Sequence, residues 1–371
     1  MITREDVINT IHRRPTRGIP TTWMNVMEHS HLERLAGVGA GEYVKNPEAV
    51  YLAAQKAMGV NVLDQYIPRN PLSMGSHGYE RPTNTPTTGA KRIVCDGMVI
   101  DSPEAVVAHL ETVVFPRIEK SIAGFKDPEG AARWLEEHEA AVQKTLGDDI
   151  VKTGYAFVGF PMFAYGTYGY ENYFMAYALY PEVMERHFAL QADNALLANT
   201  AFATVYEQKK LPMLNRLDFD MADSRGTLAG IRTLEKIWFP HFTRCIEPLV
   251  KAGVNLIWHC DGNLMEMVPR LIEAGVKGFQ GFQYEDGMDY PKICAMKARD
   301  GDSLIIWAGV SVTRTLPFGS PRDVRDELTF LVENGPKTGL FLGVSSSVAP
   351  GVPWENMQAL LDGLAHYRRG G

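Results

Sequence analysis

The chain lacks most of the marks of a secreted, membrane or nucleic-acid-binding protein. Its 371 residues hold four cysteines, Cys95, Cys245, Cys260 and Cys294, widely spaced and with no C-x-x-C pair. A disulfide scaffold is excluded on that count, and a reduced compartment fits better. No apolar run approaches the roughly 18 residues needed to cross a bilayer. The opening residues, Met1 to Val7, read as a capped helix start without a signal peptide's apolar stretch. Basic runs are missing too. Thirty-seven Lys and Arg stand against 44 Asp and Glu, a net charge of −7, so neither nucleic acid nor an anionic membrane is an expected partner. There is no G-x-G-x-x-G fingerprint, phosphate loop, H-E-x-x-H or G-x-S-x-G, so the nucleotide and serine-hydrolase readings lack support. A cytoplasmic enzyme of small molecules is the expectation.

What is present is alternation. Strand-like apolar runs occupy 18–24, 60–66, 150–157, 212–219, 254–258, 278–283, 303–308 and 339–344, and helical patterns follow most of them. Alternation of this kind implies a parallel sheet with helical crossovers. Eight units predict an α/β fold of the (β/α)8 TIM-barrel type, with an open doubly wound sheet as the alternative. Helix ends are marked by Gly253, Gly275 and Gly335, and one helix start by Ser320-Pro321. The long spacing between the second and third strands holds a Pro/Gly/Thr-rich loop (70–90), a hairpin signal at Asp96-Gly97 and two helical patterns (103–114 and 128–145). The expectation is one domain over 1–371, with an insertion at about 70–150 over the barrel mouth.

The most informative residues are His259-Cys260-Asp261-Gly262-Asn263, which close the strand 254–258. Side chains alternate along a strand, so His259 and Asp261 project to one side, at the sheet end where parallel α/β proteins build their sites. A capped turn is the plainer reading of the same residues. Together with a third carboxylate, His259 and Asp261 are candidate ligands of a divalent metal, zinc being the natural fit to imidazole and carboxylate. Without a metal, His259 is a candidate general acid. Asp218 and Asp220, at the end of 212–219, share a face and supply the next candidate base or ligand; a capping acidic turn is the plainer alternative. Asn25, Glu28 and His29 end the first strand, and Asp64 and Tyr66 the second. The glycine-flanked Tyr165, Tyr168 and Tyr170 suggest an aromatic pocket wall. Tyr173, Phe174, Tyr177 and Tyr180 have the helical spacing of core. His29, His31 and His77 read as loop residues.

Several segments resemble the uroporphyrinogen decarboxylase superfamily, which includes methyltransferases that use methyl-corrinoid proteins. These are the opening TREDVINTIHRRPTRGIPTTWM, the HCDGN turn, YEDGMDYPKICAMKARDGDSLIIWAGVSVTRTLPFGSPRDVRDEL, and LGVSSSVAPGVPWENM, in the family's order over nearly the whole chain. The departures separate the branches. The decarboxylases carry arginines in the first loop, whereas this loop, Trp23 to His29, has none and includes Glu28. A polycarboxylate tetrapyrrole would be repelled there. The thiol methyltransferases bind zinc through a His and two Cys. Aligned on Glu355-Asn356, those cysteines fall at Asp261 and Ser346, with Cys260 at a variable position, and only His259 is kept.

The resemblance therefore implies a corrinoid-dependent methyltransferase, or O-demethylase component. It would move a methyl group from a small methoxylated aromatic substrate to a corrinoid on a separate protein, since the chain has no D-x-H-x-x-G motif of its own. Catalysis would rest on His259, Asp261 and Asp218. Substrate binding would use Asn25, Glu28, Tyr66, Tyr165, Tyr168, Gln283 and Ser346, and a zinc ion is the candidate metal on His259 and Asp261. A homodimer is compatible with this reading. A lyase or decarboxylase on another small substrate is the second reading, and a catalytically silent binding barrel the third.

Overall fold

The computed structural model describes residues 2–73 and 92–370. All eight expected strand positions carry parallel pairing, in pieces no longer than the apolar runs. The strands are β1 (Val62–Leu63), β2 (Ile93–Cys95), β3 (Met98–Ile100), β4 (Val151–Lys152), β5 (Gly154–Tyr155), β6 (Leu214–Asp218), β7 (Ala222–Asp223), β8 (Gly226–Thr227), β9 (Asn255–His259), β10 (Gly278–Gln280), β11 (Ile305–Val310) and β12 (Leu340–Val344). A six-stranded parallel sheet runs β12-β11-β10-β9-β6-β5, and β1 pairs with β4 in a parallel pair of its own. The first expected strand shrinks to isolated parallel bridges, Thr21 to Leu342 and Thr22 to Val62. Backbone bonds from Thr22 N to Leu342 O (2.8 Å) and from Trp23 N to Val62 O (2.9 Å) accompany them. The regular ladder is thus a parallel sheet of six strands, not a closed ring of eight.

The strands form where the sequence is apolar on both faces. β9, β11 and β12 are buried at every residue, as parallel strands between helices must be. One face packs a core of Val62, Val151, Leu214, Ile257, Ile305, Trp307 and Phe341, and the helix Arg4–Ile11 seals it from below with Val7 and Ile11. That helix is started by a capping box between Thr3 and Asp6. Helices such as Phe239–Lys251, Val268–Ala274 and Pro321–Asn334 pack on the other face. Gly253 (φ +80°) and Gly275 (φ +117°) end helices in the left-handed region as expected, whereas Gly335 is extended.

Within the long connection, the Asp96-Gly97 turn joins β2 to β3 with both residues at positive φ. The helices Pro103–His109, Phe115–Gly124 and Pro128–Leu146 follow. They pack against the helices Tyr170–Leu179 and Pro181–Glu207. The rest of the connection, 74–91, lies outside the described residues, and with it His77 and most of the Pro/Gly/Thr-rich loop.

Candidate functional site

Register decides which strand-end residues meet. Asp218 stands beside His259, His259 beside Gln280, and Gln280 beside Trp307. Paired residues in a parallel sheet point to the same face, so these four form one row, at the last residue of β6, β9 and β10 and in the middle of β11. Arg216, two residues before Asp218, shares their face. Thr22, Trp23, Asn25 and Gln65 complete the wall on one side, and Val344, Ser346 and Ser347 on the other, around a cavity of about 80 Å³. This is room for the reactive end of a small molecule.

Arg216 is 6% exposed, and a charge buried so deeply requires partners. Its Nε donates to Asp64 Oδ2 at 2.5 Å, and its Nη1 to Asp218 Oδ2 at 2.9 Å and Gln280 Oε1 at 3.3 Å. The Tyr155 hydroxyl also donates to Asp218 Oδ2 (3.0 Å), and its ring lies 4.7 Å from the guanidinium. Burial pulls the Arg216 pKa down, but Asp64 and Asp218 more than offset it and the net direction is up. Asp218 therefore enters the cavity as the partner of an arginine and a tyrosine.

Beside this network lies a cluster of His259, Asp261 and Asp220, whose ligand atoms all fall within 4.8 Å of one another. His259 Nε2 is 3.9 Å from Asp261 Oδ1. The Asp261 N–H donates to Asp220 Oδ1 at 2.8 Å, and Ser346 Oγ to Asp261 Oδ2 at 3.3 Å. His259 Nδ1 and Asp261 Oδ1 are buried without a partner among the described residues. Asp220 is exposed as a residue, yet its carboxylate turns inward to that N–H. Loss of water raises its pKa, against lowering by the Asp261 N–H and His259. One imidazole nitrogen and two carboxylates, partly unsatisfied and converging, fit a divalent ion. Asp220, rather than Asp218, supplies the third carboxylate.

Local backbone makes this possible. At Gly281 (φ +84°) a Cβ would sit 2.6 Å from His259 Nδ1, so only glycine leaves room for the ring. At Gly262 (φ +87°) a Cβ would meet the Asp223 backbone at 2.7 Å, and the turn after His259 closes tightly against that loop. Cys260 points the other way. Its Sγ donates to Asp261 O (3.0 Å) and accepts from Met221 N (3.3 Å). Burial, with Asp220 nearby, pushes its thiol pKa up, so it offers no thiolate to the cluster.

The remaining expected residues divide. Asn25 and Ser346 line the cavity; Asn25 Nδ2 donates to Ser347 Oγ (3.0 Å), and its Oδ1 is buried without a partner among the described residues. Tyr165 stands at the rim of the cluster, its hydroxyl donating to Asp220 O (3.0 Å) and its ring stacked on Tyr170 at 4.6 Å. Glu28 is occupied by Ser30 Oγ and by the Gly351 N–H (2.9 Å). Gln283 accepts from the Gly262 N–H, and Tyr66 packs edge-on against Tyr51. None of these three lines the cavity. Tyr168 is not brought to it either. It is 1% exposed, bonded to His109 Nδ1 at 2.8 Å and parallel to Tyr173, so this ring is core where a pocket wall was expected.

Arg216, Gln280 and the two cavity tryptophans, Trp23 and Trp307, were not singled out from the sequence. For Arg216 a signal exists: a charge between Leu214 and Leu217 in a buried strand, in phase with Asp218.

Fold and site together define a parallel α/β protein with a polar cavity at the carboxyl ends of its strands and, beside it, the Asp220–His259–Asp261 cluster. The chain is similar over 99% of its length to 99% of a solved structure described as a methyltransferase from Methanosarcina mazei, with 15% identity and a TM-score of 0.58. That likeness shows a common fold. A structure described as a putative vitamin-B12 independent methionine synthase from Listeria monocytogenes aligns over 96% of this chain and 99% of its own. Its identity is 13% and its TM-score 0.42. No protein-family model and no curated protein sequence matches the chain.

Proposed function

We propose that the chain is a cytoplasmic methyltransferase of the corrinoid-dependent kind, taking a methyl group from a small methoxylated aromatic substrate to a corrinoid held by a separate protein. Residues 1–371 form its single catalytic domain. In this reading the parallel bridges at Thr21 and Thr22 stand for the first strand of a (β/α)8 barrel, and the connection at about 70–150 would be an insertion over its mouth. The Asp220–His259–Asp261 cluster, opening beside a cavity walled by Trp23 and Trp307, carries this reading. The fold shared with a protein described as a methyltransferase supports it.

The chemistry asks for what the cluster has. An aryl ether is a poor methyl donor, and its oxygen, which keeps the bonding pair as the C–O bond breaks, leaves more readily when its charge is met by a proton or a metal ion. In this reading His259 gives that proton through Nε2, which lies 3.9 Å from Asp261 Oδ1. Asp220, its pKa raised chiefly by burial, holds a proton more readily than an ordinary carboxyl and is the second donor. A divalent ion such as zinc, held by Asp220, His259 and Asp261, would instead supply Lewis acidity at the same oxygen. Asn25 and Ser346 orient the substrate, and the tryptophans exclude water around the reacting carbon.

The test is methyl transfer to cob(I)alamin from a panel of methoxyarenes, with His259→Ala as control. Transfer by the wild type and its loss in the variant support the reading. The buried Arg216 in the cavity favours a second reading, a lyase or decarboxylase on a small acid. Carbon dioxide release from small aromatic acids, with no transfer from any methoxyarene, would replace the first reading with the second.

A further inference from the structure

Arg216 has one nitrogen to spare. Its Nε serves Asp64 and its Nη1 serves both Asp218 and Gln280, while Nη2 makes no hydrogen bond among the described residues. The residue is 6% exposed and forms part of the cavity wall, so the cavity is the place where those two N–H groups can be used. Trp307, 3% exposed and also in the wall, has an indole N–H that is buried without a partner among the described residues. Buried donors are paired in folded proteins unless a ligand or water completes them. Both side chains belong to the wall of one small cavity, and unused N–H groups held rigidly there are what an oxygen-anion site of the preorganised kind requires. The strand frame holds both: Arg216 is fixed by Asp64 from the end of β1, and Trp307 by packing against Phe341 at 5.7 Å.

We propose that Arg216 Nη2 and Trp307 Nε1 hold the oxygen on which negative charge gathers in the reaction, a phenolate-type oxygen of the substrate, making Arg216 a catalytic residue. This rests on the methyl-transfer reading and deepens it. In that reaction the methyl carbon bonds to a Co(I) nucleophile carried by the partner protein, and the CH3–O bond breaks. Its electron pair goes to the aryl oxygen, which takes one proton from the cluster around His259. Until that proton has moved, the oxygen carries charge, and donors aimed at it lower the barrier. Asp64 and Asp218 fix the guanidinium through Nε and Nη1, leaving Nη2 to the ligand.

4-Nitrophenol, whose anion is yellow, is the probe for this site, because its binding needs no corrinoid partner. The wild type is expected to bind the anion in preference to the neutral phenol, so that its bound pKa falls below that in water. Arg216→Gln should weaken anion binding about tenfold and Trp307→Phe about threefold, in the range of one lost charge-assisted or neutral hydrogen bond. Leaving Asp64 without its arginine endangers folding, so Asp64→Asn with Arg216→Gln is the paired variant, checked by thermal melting, and Trp307→Phe keeps the network whole. In methyl transfer, the loss in Arg216→Gln should grow as the leaving phenol becomes less acidic, which a merely structural role would not produce. Equal anion affinity in wild type, Trp307→Phe and the paired variant would overturn the proposal, as would preferential binding of the neutral phenol. Should the wild type bind the anion through Arg216 yet transfer no methyl group, the anion site stands and the methyl-transfer reading alone falls.

Discussion

Gly281→Ala tests the candidate metal centre without touching a ligand. The added methyl would lie 2.6 Å from His259 Nδ1 and 2.8 Å from its Cε1, with the Cys260 carbonyl oxygen at 3.2 Å. Contacts that short are not tolerated, so the imidazole must retreat by several tenths of an ångström. The glycine also sits at φ +84°, where an L-residue costs about 1–2 kcal/mol. The variant should therefore melt earlier than the wild type and hold its ring away from Asp220 and Asp261. Displacing the support of a metal ligand typically weakens metal affinity about 10- to 100-fold. Titration with zinc in competition with a coloured chelator would read that loss, with His259→Ala as the full-loss reference. An unchanged zinc affinity in Gly281→Ala would refute the role given to the ring's position. Equal metal content in wild type and His259→Ala would rule out the site. No metal in either would leave His259 Nε2 as the proton donor.

Tyr168→Phe should destabilise by about 1–3 kcal/mol, because it leaves the buried His109 Nδ1 without the hydroxyl 2.8 Å away. Tyr168→Ala should cost about 3–5 kcal/mol; denaturant unfolding measures both, and a normal stability with a raised substrate KM would return this ring to the pocket. Burial lowers the His187 pKa from 6.5 to about 4. The unfolded chain therefore binds the extra proton between those values, and stability falls as pH drops from about 6.5 to about 4. At 1.36 kcal/mol per pH unit the loss reaches about 3 kcal/mol. His187→Phe should flatten that limb of the stability curve, and an unchanged pH slope would contradict it.

The local features came from the chain itself. Apolar runs marked β9, β11 and β12, because a strand between helix layers and a filled interior is buried on both faces, and in β6 the polar Asn215 and Arg216 are buried among leucines. Period-2 alternation put His259 and Asp261 on one side and Cys260 on the other. Glycines and small capping residues marked turns and helix ends, since they answer to backbone geometry at one position. Partners distant in sequence were a different matter. Arg216 meets Asp64 across 152 positions, and nothing local to either says so. Asp220 joins His259 where Asp218 turns to Arg216, because register and the loop after β6 choose between two carboxylates that periodicity treats alike. Tyr168 and Tyr165 lie in the same short helix, yet one faces core and the other the site rim. Periodicity belongs to a segment and can be read along it. Which segments become neighbours, and at what register, is settled only when the whole sheet and its helices pack, and the candidate site is made of those neighbours.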